Sequence, residues 1–83
     1  MTRPVTVLLF AAAREAYGAG RIELPYCEGL TAAAVWERLV AERPALEALS
    51  RTVSVARNHR FVARETAVEP GDELAFLPPV SGG

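Results

Sequence analysis

The fold turns on residues 69–83, Glu69-Pro70-Gly71-Asp72-Glu73-Leu74-Ala75-Phe76-Leu77-Pro78-Pro79-Val80-Ser81-Gly82-Gly83. Glu-Pro-Gly-Asp is a turn signal, because proline is preset for the second turn position and glycine suits the third. That turn chemistry accounts for Asp72 better than acid–base work does, since Asp72 and Glu73 are adjacent at a turn-to-strand junction and face apart. A strand follows over Glu73 to Leu77, with Leu74 and Phe76 expected in the core and Leu77 on the opposite face. Pro78 and Pro79 each lock φ and lack an N–H, so the ladder of hydrogen bonds cannot continue past them. The chain is therefore expected to divide into a folded domain over 1–77 and a flexible tail over 78–83. Extended, the tail reaches roughly 20 Å. Its last two residues, Gly82 and Gly83, have no β-carbon, so a channel too narrow for any side chain can admit them.

Working back from the tail, Val53-Ser54-Val55-Ala56 alternates as a strand and runs through the polar turn Arg57-Asn58-His59-Arg60 into Phe61-Val62. Before it, Thr31 is placed to cap a helix that extends to about Arg43. Ala32, Val35, Trp36, Leu39 and Val40 recur at i, i+3, i+4, i+7 and i+8 as one apolar stripe. Pro44 ends that helix and suits the first turn of a second, short one with Leu46 and Leu49 inward. At the front of the chain, Val5 to Phe10 is β-branched and apolar. Val5, Val7 and Leu9 share one face; Thr6, Leu8 and Phe10 share the other, which the threonine marks as the outer one. Ala11 to Tyr17 forms a helical turn closed by Gly18, and a second strand near Arg21–Leu24, stopped by Pro25, pairs with the first. One long helix among four or five strands predicts an α+β fold, a mixed sheet wrapped over that helix.

With 83 residues the chain has room for one core, and 51% hydrophobic residues place it among globular chains. A net charge of −1 argues against nucleic acid or an anionic membrane as the main partner. No apolar run approaches the ~20 residues of a membrane span, and no signal-peptide pattern opens the chain, so a cytoplasmic location is expected. The single cysteine, Cys27, cannot close an internal disulfide, and one cysteine with one histidine, His59, makes no metal site. All nine basic residues are arginine, so there is no lysine amine to attack an activated carboxyl end. Gly-rich phosphate loops and nucleophile elbows are absent from the sequence.

Three stretches carry a likeness to a known family. They are Phe10-Ala11-Ala12-Ala13-Arg14-Glu15 with Gly18, Pro70-Gly71-Asp72-Glu73-Leu74-Ala75-Phe76, and Leu77-Pro78-Pro79-Val80-Ser81-Gly82-Gly83. Together they resemble the small, sulfur-carrying subunits of molybdopterin synthase, ubiquitin-like proteins of the β-grasp fold. The chain departs from the family at Arg57, where an apolar residue is usual before Asn58; that departure is expected to affect only the local surface. The resemblance implies a chain that acts as a reagent and is not an enzyme by itself. It binds no cofactor. An enzyme related to the ubiquitin-activating class uses ATP to adenylate Gly83, and sulfur then converts the end to a thiocarboxylate. The tail, Pro78, Pro79, Val80, Ser81 and Gly82, next threads into the large subunit, expected in a heterotetramer. There the sulfur passes to cyclic pyranopterin monophosphate to form the molybdopterin dithiolene. The docking residues expected on the body are Phe10, Phe61 and Leu77, with Leu8 beside them, and Arg14 for a charged contact. The alternatives are a sulfur carrier for thiamine synthesis, which typically lacks the Pro-Pro-Val stem, a ubiquitin-like protein modifier, or a binding module with an inert tail.

Overall fold

The computed structural model describes residues 2–79. β1 (Val5–Leu9) leads through α1 (Ala11–Tyr17) to β2 (Arg21–Leu24), and α2 (Ala32–Glu42) is followed by a 3₁₀ helix over Pro44–Leu49. β3 (Ser54–Arg57), β4 (Arg60–Val62) and β5 (Glu73–Leu77) complete one five-stranded sheet in the order β2-β1-β5-β3-β4. β1 and β5 run parallel at its centre, with Val7 opposite Leu74 and Leu9 opposite Phe76. The other neighbours are antiparallel, β2 on β1 and β4 and β5 on β3. The sheet is thus mixed, as the element order requires.

The expected alternation holds in β1 and β5. Val5, Val7, Leu9, Leu74 and Phe76 are all at most 2% exposed. They meet Val35, Trp36 and Leu39 from the apolar stripe of α2, and the Trp36 and Phe76 rings lie 5.1 Å apart at 47°. Val40, at the edge of the stripe, is only half-buried. Thr31 caps α2 as expected, its hydroxyl accepting from the Ala34 N–H at 3.2 Å. The tryptophan cannot be buried without a partner for its indole N–H, and Nε1 donates to Ser50 Oγ at 2.8 Å. Leu46 is fully buried by the 3₁₀ helix, whereas Leu49 is half-buried. Tyr17 donates its hydroxyl to Glu42 at 2.6 Å, and Arg43 donates to the Tyr17 carbonyl at 3.1 Å, tying α1 to the end of α2. The hydrogen bond to Glu42 holds the Tyr17 phenol above its ordinary pKa.

Two boundaries differ from expectation. The polar turn after β3 shrinks to Asn58 and His59, both left-handed at φ 49 and 74, so Arg57 and Arg60 face each other as strand residues. Arg60–Val62 is therefore a true strand, β4, and brings the sheet to five strands. At the other end, β5 stops at Leu77 but Pro78 is still buried and Pro79 is the first exposed residue. Alternation carries the Pro78 ring onto the core side, so the body extends one residue beyond 77. Leu30 and Val68 also join the core from connecting segments, held together by a hydrogen bond from Val68 N to Leu30 O at 2.9 Å. No periodicity marks either residue.

Candidate docking face and tail stem

Register brings the docking candidates together. Leu8 pairs with Ala75, Ala75 with Ala56, and Ala56 with Phe61, so one row crosses β1, β5, β3 and β4 on the face away from α2. The middle of that row is two alanines and its ends are large. The result is a hollow of about 320 Å³ over Ala56 and Ala75, walled by Leu8, Phe10, Phe61 and Leu77 with His59 and Glu73 at one side. Phe10 is 44% exposed and Phe61 74%, so Phe61 does not complete the core. Exposed aromatic area of this kind makes this face the candidate docking surface. Leu77 sits at the end of β5, which places the Pro78-Pro79 stem at the rim of the hollow.

Arg14 is not part of that hollow. It lies in a separate recess between α1 and the Gly18–Gly20 connection, with Glu15 beside it. Its side chain crosses Gly20 so closely that a β-carbon there would sit 3.2 Å from Arg14 Nε. The remaining tail residues, Val80, Ser81, Gly82 and Gly83, lie outside the described residues.

Asp72 is more than a turn residue. Its buried carboxylate accepts from Arg57 Nε at 2.6 Å, Asn58 Nδ2 at 2.9 Å and the Glu69 N–H at 2.8 Å. Asn58 in turn accepts from the Glu73 N–H at 2.9 Å and donates its own N–H to the Glu73 carbonyl at 2.8 Å. Burial pushes the Asp72 carboxyl up, but the three hydrogen bonds and the Arg57 charge outweigh it and leave its pKa below the ordinary value. Arg57 therefore does more than alter the surface near Asn58. It clamps the β3–β4 turn to the entry of β5, because its guanidinium is the cation that the buried carboxylate requires. The signal in the sequence was Arg57 itself, directly after the buried pair Val55 and Ala56; its effect had been expected to stop at the local surface.

Sequence reasoning also had no signal for a cleft of about 480 Å³ on the helix side of the sheet, floored by Trp36, Val55 and Phe76. Arg64 stands in its wall and donates to the backbone carbonyls of Ser50 and Val53. Cys27 is exposed. Among the described residues no three His, Cys, Asp or Glu side chains come together as metal ligands, and no helix is long and apolar enough to cross a membrane.

A mixed sheet with parallel central strands, curled over one long helix, defines a ubiquitin-like β-grasp protein. The crystal structure of the small archaeal modifier protein 1 from Haloferax volcanii superposes with a TM-score of 0.80 at 30% identity, covering 94% of this chain and 99% of that one. Residues 7–83 match the ThiS family, and the chain belongs to it. It is 41% identical over 81 residues to the molybdopterin synthase sulfur carrier subunit of Haemophilus influenzae, covering 95% of this chain and 99% of that protein. The subunit of the same name from Arabidopsis thaliana is 38% identical over 79 residues, covering 95% of this chain and 82% of the relative.

Proposed function

We propose that this protein is the sulfur carrier of molybdopterin synthase, with Gly83 as its reactive end. The observation that carries this is the near full-length similarity to sulfur carrier subunits, in a family match that runs through Gly83. A carboxylate is a poor acyl electrophile. An ATP-dependent activating enzyme converts the Gly83 carboxylate into an acyl adenylate with release of pyrophosphate, and a sulfur nucleophile then displaces AMP. The product thiocarboxylate is a good sulfur donor at neutral pH. It is delivered to cyclic pyranopterin monophosphate in the large subunit, in a heterotetramer of two small and two large chains. Phe10, Phe61 and Leu77 dock the body while Pro78 to Gly82 thread the end inward, and glycine at 82 leaves room for a narrow channel.

The test is intact-mass measurement after incubation with ATP, a sulfur source and the activating enzyme. One oxygen should be exchanged for sulfur at Gly83, and addition of the large subunit and pyranopterin should yield the dithiolene; no exchange refutes the carrier role. A second function is favoured by one finding, the similarity to an archaeal modifier protein. As a protein modifier the chain would form an amide with target lysines from the same adenylate, and covalent adducts in place of dithiolene would reveal it.

A further inference from the structure

Glu73 stands at the side of the hollow over Ala56 and Ala75, and among the described residues its carboxylate meets only the His59 imidazole. Its side chain is 32% exposed, and among the described residues it accepts no hydrogen bond. His59 Nε2 lies 3.5 Å from it, beyond ordinary hydrogen-bond length. Neighbouring Asp72, by contrast, has three donors at 2.6–2.9 Å. Two further charges on this face pair loosely with each other. Arg21 and Glu23, brought to it by their pairing with Leu8 and Thr6, lie 3.9 Å from each other. Glu73 is thus a half-buried carboxylate among apolar walls with its acceptor positions open.

His59 frames the carboxylate from the β3–β4 turn. It occupies the left-handed region at φ 74, where glycine is favoured and other side chains are strained. The imidazole is 85% exposed, lines the hollow and approaches Glu73, so it contributes little to the core and instead flanks the carboxylate.

We infer that the partner docking on this face presents a large apolar side chain to the hollow over Ala56 and Ala75 and an arginine beside it, with Glu73, flanked by His59, as the residue that selects the arginine. A guanidinium suits the position because it is weakly hydrated, takes a carboxylate with two parallel N–H donors, and stacks on an aromatic ring such as Phe61. The inference rests on the docking role given to this face above.

The test is calorimetric titration of the chain with the cognate large subunit of molybdopterin synthase, at low and high salt, for four variants whose folding is followed by thermal unfolding. Glu73→Gln keeps the shape and removes the charge. It should raise the dissociation constant about tenfold and flatten its salt dependence, without moving the unfolding midpoint. His59→Gly should raise the midpoint by relieving the left-handed strain and yet weaken docking. Ala75→Leu, which fills the hollow, and Phe61→Ala, which removes an exposed ring, test the face without touching the carboxylate. If those two dock as the wild type does, the docking face itself is wrong. If they dock poorly while Glu73→Gln keeps wild-type affinity and salt dependence, the face stands and the selection of an arginine by Glu73 is overturned. A lower midpoint for His59→Gly would make His59 a turn residue and remove its flanking role.

Discussion

At the scale of single residues, Asp72 is the most consequential polar group of the body. Three donors converge on a carboxylate that is 7% exposed. Its folded pKa is depressed, so the stability it adds is present above the unfolded-state value of about 4 and is lost as pH falls through the lower folded value. Asp72→Asn should therefore flatten the fall in unfolding midpoint that the wild type shows as pH drops below about 4. It should also cost about 2–3 kcal/mol at neutral pH, because Arg57 loses its counter-charge. Chemical denaturation across pH measures both. Gly20 matters for a different reason, its closeness to Arg14. Gly20→Ala should push the Arg14 side chain out of its recess with a stability loss under about 1 kcal/mol, visible as altered Arg14 side-chain shifts in nuclear magnetic resonance spectra. The Asp72 partners were legible only in part: the Glu69-Pro70-Gly71-Asp72 turn announced itself, but Arg57 lies 15 positions away in sequence. No local pattern connects the two.

At the scale of elements, α2 and β5 do most of the organising, and both were readable because periodicity and punctuation agreed. Thr31 opens α2 with a side-chain cap, and a five-residue apolar stripe faces the sheet. Thr31→Ala should cost about 1 kcal/mol, since one first-turn N–H loses its acceptor, and urea denaturation would register it as a lower midpoint at unchanged slope. β4 was harder to read. Three residues give too little alternation, and what makes Arg60–Val62 a strand is the tight left-handed turn at Asn58 and His59, neither of them glycine. The turn is held by tertiary hydrogen bonds to Glu73, so its geometry is a property of two distant segments.

At the scale of the whole molecule, stability and function should separate. Leu74 is fully buried in the central strand, and Leu74→Ala should cost about 2–5 kcal/mol by leaving a cavity. Gly82→Ala should leave the unfolding free energy within about 0.5 kcal/mol while abolishing sulfur loading, measured by intact mass. If Gly82→Ala loads and supports product formation at the wild-type rate, the threading role of the tail is wrong. The amino-acid sequence by itself determined the order of elements, the core faces of β1 and β5, the long helix and the stem of prolines before two glycines. Those follow from backbone limits and side-chain periodicity, which act over a few residues. Only the tertiary structure decided that Ala56 and Ala75 lie side by side under Phe10, Phe61 and Leu77, that Arg14 stands apart from them, and that Arg57 meets Asp72. Those depend on which strands become neighbours and in what register. That choice is made by burying Leu9, Leu74 and Phe76 against one helix, a cooperative event no short stretch can announce.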